Sequence, residues 1–299
     1  MGIGQGVLTA TRRQQAPAPA RRRWALLLLL PLGVAISLGF VVPLALLFVK
    51  SFETSLGYGQ VSGHLTFSSY VTALTSPLYR TVAVNALEIG GIGTVLTLVL
   101  SFPLAYFIRF RLRRGQHTVL LLIMISLFAG YIVKIYAWAT ILGTYGVINT
   151  ALQDIGLIRQ PLSVLLFSKI AVLIVVTYLS IPVSTLILVG AMQNVDRALL
   201  ENARDLGAGG LRAVTSVLVP LSMTGIVASL AYGFVVISGD YITPQLVGGT
   251  TGQMIGVPIS DQFLSVGDQP LGSALSFLML AVFVIVYLVL TRLERFKGV

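Results

Sequence analysis

The sequence predicts an all-α integral membrane protein with six transmembrane helices. Its mean hydropathy is +0.92, and 56% of its 299 residues are hydrophobic while only 10% are charged, more apolar surface than one soluble core can bury. The alternating pattern of a membrane barrel strand is absent. A helix needs about 20 residues to cross a hydrocarbon core of roughly 30 Å. Six apolar runs meet that length: residues 24–49, 82–108, 119–142, 162–190, 213–238 and 272–290.

The N-terminal region divides into a polar tail and the first span. Residues 1–23 are rich in Gly, Gln, Ala, Pro and Arg and predict a disordered basic tail. The run 24–49 is much longer than the core of a cleavable signal, which has about 7–15 apolar residues. We therefore expect it to be retained as the first helix of one membrane domain over residues 24–292, followed by a short tail, 293–299.

The basic residues predict the orientation of the spans. Of the 20 Lys and Arg residues, 15 lie before the first span or after the second, fourth or sixth. The loops on the other side hold only Lys50, Arg80 and Arg159. Because Lys and Arg concentrate in cytoplasmic loops, both termini are expected in the cytoplasm. The net charge of +10 follows from this distribution and does not indicate nucleic-acid binding.

A short charged segment, residues 196–207, separates the fourth and fifth spans. Asp196 is suited to cap the N-terminus of a helix there, and Gly207 follows where a left-handed residue commonly ends one. Both Arg197 and Glu201 lie on its polar side, at a spacing that also suits a solvated connector held by ion pairs. The pattern predicts an amphipathic helix across the cytoplasmic face. Its predicted apolar face is formed by Leu199, Ala203 and Leu206.

Several polar and aromatic residues within or near the spans are candidates for a substrate path. An ionisable group at bilayer depth must face protein or water, although a lysine such as Lys134 or Lys169 can also reach the headgroups. Carboxylates would attract ammonium groups and aromatic rings would offer cation–π contacts, but Trp and Tyr near span ends are also interface anchors. An ion pair between Glu88 and a nearby lysine is the structural alternative. The candidates are Glu88, Tyr131, Lys134, Trp138, Asp240 and Tyr241.

The chain carries no recognisable catalytic or nucleotide-binding motif. None of its four lysines follows the glycine-rich pattern of a phosphate-binding loop. It has no cysteine and only two isolated histidines, which argues against thiolate metal sites and disulfides. We therefore expect a protein that is not an enzyme and binds no cofactor or metal of its own.

The charged segment has the residue order of a known motif. Glu201, Asn202 and Ala203 are followed by Gly207 after three residues and, nine residues further on, by Val-Leu-Val-Pro ending at Pro220. This order resembles the coupling loop of type I ABC importer permeases, which has Glu-Ala-Ala, then Gly, then Ile-x-Leu-Pro. The departures are Asn in the first group and Val in the last. The resemblance implies that a partner ATPase contacts or depends on Leu200, Glu201, Ala203, Asp205, Leu206, Gly207 and Pro220.

The segment after the fifth span narrows this resemblance. It is similar to the last outer loop of spermidine/putrescine-type permeases, in which the position of Lys134 is commonly Arg, a residue of the same charge with a planar fork. The matching stretches are Ser238–Gly249, Met254–Gly256, Gln262-Phe263 and Pro270–Leu275, supported by Tyr136-Ala-Trp138 and Gly146–Asn149.

The resemblance covers the chain from about residue 24 and implies a machine of several subunits in the bacterial plasma (inner) membrane. This chain would pair with a second, different permease subunit. Two cytoplasmic ATPase subunits would bind ATP and Mg²⁺, and an extracytoplasmic binding protein would deliver a polyamine. Movement of the segment 196–207 would open the path by rocking rigid spans.

Two alternatives remain open from the sequence. Within the same importer class, the cargo could be ferric iron, an aminophosphonate or an opine-like amine, because close relatives share the outer-loop pattern. From a different class, the chain could be an ion-coupled secondary carrier with Glu88 as its proton site. That alternative predicts transport without an ATPase and leaves the motif around Glu201 unexplained.

Overall fold

The computed structural model describes residues 31, 33–57, 59–112, 114–162 and 165–297, the last five of them by backbone alone. The first helix, α1 (Gly33–Lys50), contains a π-helical turn at Ser37–Val41. All of α1 except its last residue belongs to a unit that ends at Val49, and the chain from Lys50 onward forms a second unit. The predicted N-terminal tail and the beginning of the first predicted span lie outside the described residues.

The second unit is mainly helical. It begins with a hairpin of two antiparallel strands, β1 (Thr54–Gly57) and β2 (Gln60–Ser62), in which Thr54 pairs with Ser62. Its helices are α2 (Ser68–Thr75), α3 (Pro77–Arg111), α4 (Gln116–Phe128), α5 (Tyr131–Leu142), α6 (Val147–Asp154), α7 (Lys169–Met192), α8 (Arg197–Asp205), α9 (Gly210–Leu221), α10 (Met223–Ser238), α11 (Ile242–Val247), α12 (Gly256–Asp261) and α13 (Gln269–Lys297). The all-α prediction did not include the hairpin, whose turn depends on glycines at positive φ, Gly57 and Gly59.

The helices α3, α7 and α10 pack closely because small residues lie between them. A Cβ on Gly90 of α3 would lie 1.8 Å from the Oγ of Ser238, and one on Gly225 of α10 would lie 2.2 Å from a side-chain carbon of α7. The buried hydroxyls of Ser184 and Ser229 are 2.6 Å apart. In lipid, where apolar residues gain little by leaving the solvent, close backbone packing and interhelical hydrogen bonds hold helices together.

Two groups of buried apolar side chains lie toward opposite ends of the long helices α3 and α7. One group includes Val172 and Val247 and contacts α11. The other includes Ile108, Met192 and Leu200 and contacts α8. We call these two ends the α11 end and the α8 end.

At the α11 end, the turn-rich segment between α10 and α13 folds into ordered short helices. Asn85 of α3 donates to the carbonyl oxygens of Thr251 and Gln253, at 3.1 and 2.9 Å. Gln262 donates to the hydroxyl of Tyr79 at 3.3 Å. The segment that resembles an outer loop is therefore fixed to α3 by buried polar side chains.

The third predicted span, 119–142, was wrong as a single helix. The backbone is extended at Ala129 and Gly130, which separates the 13-residue α4 from α5. A break exposes the last carbonyl groups of a helix, and here the ammonium of Lys134 bonds the carbonyl oxygen of Ser126. The stretch Tyr131–Asp154, α5 and α6 together, has the length and hydropathy of a span. However, Leu142 and Ile148 pack in the buried group at the α11 end, so α4 is the helix that connects the two ends.

The fifth predicted span, 213–238, was also wrong as a continuous helix. α9 and α10 meet at Ser222 with a bend of 75°. Pro220 lies two residues before the bend and has no N–H to donate to the preceding turn, a common cause of sharp kinks.

The remaining boundaries shift modestly. The fourth span begins at Lys169 rather than at residue 162, and the sixth helix starts at Gln269 and continues through most of the predicted C-terminal tail to Lys297. In the described part of the chain, five helices are long and apolar enough to span a membrane, or six if the bent pair is one span.

Candidate functional site

The helix α8 begins as the sequence predicts. Asp196 has an extended backbone, and its carboxylate accepts a hydrogen bond from the N–H of Ala198 at 3.1 Å. This contact satisfies one of the free N–H groups of the first turn. The capping role predicted for Asp196 is confirmed.

The end of α8 is a Schellman motif. Gly207 has φ +89°, and its N–H donates to the carbonyl of Arg204 at 2.9 Å. The next N–H, of Ala208, donates to the carbonyl of Ala203 at 3.0 Å. These two bonds satisfy carbonyls that would otherwise lack partners, and they require a residue that tolerates positive φ.

The buried face of α8 differs from the predicted one. Leu200 is the anchor, 4% exposed in the core of the α8 end, and Ala203 is half-buried beside it. Leu199 and Leu206 were predicted on the buried face, but they are 44% and 89% exposed. The helical face that packs is rotated toward Leu200, which lies in one buried group with Ile108 of α3 and Met192 of α7.

The exposed face of α8 carries the other residues of the predicted coupling set. Glu201 and Asp205 are exposed together with the apolar Leu206. Pro220 is exposed on α9, immediately before the bend. The structure thus presents the carboxylates of Glu201 and Asp205 and the apolar side chain of Leu206 on the surface of a short, capped helix.

A residue that the sequence-based reasoning missed fastens α8 to the spans. The half-buried guanidinium of Arg109, in the last turn of α3, donates to the carbonyl oxygens of Met192, Gln193 and Val195 at 3.2, 3.3 and 3.5 Å. In return, Arg197 of α8 donates to the carbonyl of Arg109 at 2.8 Å. From the sequence, Arg109 was only one of the basic residues that follow the second span. No local pattern predicts that its guanidinium binds three backbone carbonyls.

A second site lies at the α11 end, in a cavity of about 160 Å³ between α4, α5, α7 and α10. The cavity brings together Tyr131, Lys134 and Asp240 of the predicted path, and it adds Tyr232 and Ser180, which had not been predicted. The rest of its lining is apolar.

The carboxylate of Asp240 is the most constrained group of this cavity. It is 9% exposed, and its Oδ1 accepts the N–H groups of Ile242 and Thr243 at 3.0 and 3.2 Å. Its Oδ2 accepts the hydroxyl of Tyr131 at 2.7 Å, and that hydroxyl lies 3.3 Å from the Oγ1 of Thr243. Three donors hold the carboxylate in one orientation at the start of α11.

The other predicted path residues lie outside this cavity. Glu88 pairs with Lys169 at 3.0 Å, as the structural alternative had it, and both side chains are about half exposed. Trp138 packs against Tyr178 with ring centroids 5.3 Å apart. Tyr241 follows Asp240 but does not line the cavity.

Comparison with known proteins gives a consistent result. The model of a family described as binding-protein-dependent transport system inner membrane component matches residues 20–298. The spermidine/putrescine transport system permease protein PotB of Haemophilus influenzae is 32% identical over 250 residues, which cover 83% of this chain and 87% of that protein. PotB of Escherichia coli strain K12 is 32% identical over 230 residues, which cover 77% and 83%.

A solved structure has the same fold. A chain of a bacterial ABC transporter involved in the import of the acidic polysaccharide alginate superimposes with a TM-score of 0.71. The match covers 92% of this chain and 96% of that chain at 18% sequence identity. The protein therefore belongs to the family of binding-protein-dependent transport system inner membrane components.

Proposed function

We propose that this chain is a membrane-spanning permease subunit of an ATP-driven importer for polyamines such as spermidine and putrescine. Its family consists of inner membrane transport components, and the inner membrane is its location. The observation that carries the choice of cargo is the 32% identity, over most of both chains, to permeases named for spermidine and putrescine. The solved transporter of the same fold is involved in the import of alginate, but its chain is only 18% identical to this one.

In this proposal the surface of α8 is the contact for an ATPase. Two cytoplasmic ATPase subunits supply the sites for ATP and Mg²⁺. Their closure displaces α8 through Glu201, Asp205 and Leu206, while the buried Leu200 transmits the displacement to the ends of α3 and α7. A capped helix fastened to two long spans is mechanically suited to this transfer.

The remaining partners are a second, different permease subunit and an extracytoplasmic binding protein. A solved alginate transporter of this fold is a complex with a periplasmic protein that holds an alginate pentasaccharide. We take the chain to have six spans, with the bent pair α9–α10 counted as one, and both termini in the cytoplasm. In this proposal α8 then faces the ATPases and the α11 end faces the binding protein.

The cavity at the α11 end is proposed as part of the polyamine path. Asp240 supplies a negative charge, and Tyr131 and Tyr232 supply aromatic faces, which together suit a primary ammonium group. Lys134, whose ammonium bonds the carbonyl of Ser126, also lines the cavity, so its charge offsets that of Asp240 and would weaken the binding of a cation there. Glu88 is neutralised by Lys169, which disfavours a secondary carrier with a proton site there.

The test is uptake of radiolabelled spermidine in cells that lack only this chain, complemented by the wild type, by Asp240→Asn or by Asp154→Asn. Asparagine can still accept the N–H groups that Asp240 accepts, so the change removes the charge and retains the cap. A hydrogen bond to a charged group contributes about 1.5–3 kcal/mol, so we expect half-maximal uptake to need at least about tenfold more spermidine. Asp154 is exposed and outside the cavity, so Asp154→Asn should behave as wild type.

Three results would contradict parts of the proposal. Unchanged spermidine uptake in the deletion strain would move the cargo to another substrate of this importer class, such as ferric iron, an aminophosphonate or an opine-like amine. Equal uptake by Asp240→Asn and the wild type would remove the cavity from the path. Uptake that persists after the cellular ATP is exhausted would favour the secondary carrier.

A further inference from the structure

A cleft at the α8 end collects three arginine side chains. It lies between the last turns of α3 and the helix α8 and has a volume of about 230 Å³. Arg111 comes from α3, whereas Arg197 and Arg204 come from α8. Glu201 is the one carboxylate that lines the cleft within the described part of the chain. The cleft therefore holds a net positive charge of two.

These guanidinium groups have donors to spare. Arg197 donates to the carbonyl of Arg109 at 2.8 Å and Arg204 to the hydroxyl of Tyr106 at 3.3 Å. Each guanidinium has five N–H donors, so most of them remain available. Among the described side chains of residues 31–292, the only salt bridge is the one between Glu88 and Lys169, which lies at the α11 end. Three like charges with no carboxylate at salt-bridge distance repel one another, and an anion bound in the cleft would offset that repulsion.

The walls of the cleft indicate which anion. Tyr106 and Phe110 line it beside Arg111, with their ring centroids 5.5 Å apart. They lie at the end of the long apolar helix α3, where aromatic and basic residues meet the headgroup region of a bilayer. Basic pockets between helices at that depth bind phospholipid headgroups.

We propose that this cleft binds the phosphate group of an anionic phospholipid. The guanidinium forks of Arg111 and Arg204 suit bidentate contacts with phosphate oxygens, and the two rings flank the glycerol region. The inference depends on the proposed function for one point, namely that α8 lies at the membrane surface. Because Leu200 and Glu201 of α8 line the same cleft, a lipid bound there contacts the helix that the ATPase moves.

The experiment uses the intact importer, purified through a tag on this chain and placed in nanodiscs of phosphatidylcholine with a minor share of phosphatidylglycerol. Native mass spectrometry counts the phosphatidylglycerol molecules that stay bound. The variants are Arg111→Gln, Arg204→Gln and the pair of both. A basic residue near an anionic surface contributes about a fivefold gain in binding, so we expect about fivefold less retained lipid for each arginine removed.

Two further variants separate a lipid site from general effects of charge. Arg212→Gln removes an exposed arginine at the same end that does not line the cleft, and it should retain lipid as the wild type does. The pair Arg111→Lys and Arg204→Lys keeps the charges and should retain more lipid than the glutamine pair. Counting bound lipid requires no transported substrate, so failure of the polyamine assignment would leave this test intact.

Retention of phosphatidylglycerol by the glutamine pair at the wild-type level would overturn the proposal. So would displacement of the lipid by inorganic phosphate at millimolar concentration, which would assign the cleft to a soluble anion. Loss of the ATPase subunits from the glutamine pair, with lipid retention unchanged, would assign the arginines to the contact between subunits.

Discussion

At the scale of single residues, Arg109 shows how one side chain joins three segments. The carbonyls it binds, on Met192, Gln193 and Val195, lie at or just after the last residue of α7, where helix carbonyls have no partner within the helix. A positive charge there also interacts favourably with the helix dipole. Since its own carbonyl binds Arg197, α3, α7 and α8 are fastened at one point.

We predict that Arg109→Gln weakens the attachment of α8. Hydrogen bonds to charged groups contribute about 1.5–3 kcal/mol each, and this half-buried clamp is partly screened by solvent. A net loss of about 1.4 kcal/mol would raise the equilibrium constant for local opening of the segment from Val195 to Arg204 about tenfold. Hydrogen exchange of that segment in the intact importer measures it.

Arg109→Lys separates charge from geometry in the same measurement. An ammonium retains the charge but is a single point with no planar fork, so one lysine cannot reach all three carbonyls. We expect faster exchange than in the wild type and slower exchange than in Arg109→Gln. Unaltered exchange in both variants would mean that the buried Leu200 alone fastens α8.

The roles of charged residues near the spans were the least predictable feature of the sequence. For Lys134 and Lys169 the sequence left open contact with the headgroups or a position facing protein or water, and it offered an ion pair between Glu88 and a nearby lysine without saying which one. The structure shows that Lys169 pairs with Glu88, 81 positions away, and that Lys134 bonds a carbonyl freed by the break after α4. Neither partner follows from local sequence, because one depends on the packing of α3 against α7 and the other on a break in an apolar run.

At the scale of elements, α8 was predictable because its signals are local. An acidic residue at its start and a glycine at its end predict both caps, and both are present at Asp196 and Gly207. The breaks at Gly130 and Ser222 were not predictable from hydropathy, because the apolar residues continue through both. Pro220 was the one visible signal, and it was assigned to the coupling motif rather than to a bend.

We predict that Gly207→Val disrupts the end of α8 without affecting membrane insertion. The space around Gly207 is open, so the strain comes from φ +89° alone, a conformation that costs a β-branched residue about 1–2 kcal/mol. Relief of that strain breaks the Schellman bonds and changes the orientation of Leu206. Transport should fall severalfold at an unchanged level of protein in the membrane.

The chain offers a matched control two residues further on. Gly209 has φ −58° and no atom within 4 Å of its Cβ position, so Gly209→Val adds the same side chain without strain. We expect it to transport as the wild type does, and Gly207→Asn, which tolerates positive φ, to recover most activity. Normal transport by Gly207→Val would show that the conformation at the end of α8 is irrelevant to coupling.

At the scale of the whole molecule, composition and charge predict the class, and packing determines the rest. The mean hydropathy of +0.92 is sufficient to predict a membrane protein. The contact of Gly90 with Ser238 joins residues that are far apart in sequence, and no single-sequence pattern distinguishes such a glycine from one in a loop. The helix α8 could be predicted because it is one short segment, whereas the cavity around Asp240 is formed by four helices and could not be predicted without the fold.

The proposed orientation can be tested by chemistry that the chain itself permits, since it has no cysteine. Leu211 at the α8 end and Leu264 at the α11 end are both 80% exposed, so a cysteine at either position should react with a maleimide. Because basic residues concentrate at the α8 end, we expect a membrane-impermeant maleimide to label Leu264→Cys in cells with a permeabilised outer membrane and to label Leu211→Cys only after lysis. Labelling of both variants in detergent and none of the wild type provides the controls. The reverse pattern would place α8 outside the cell, where no ATPase could act on it.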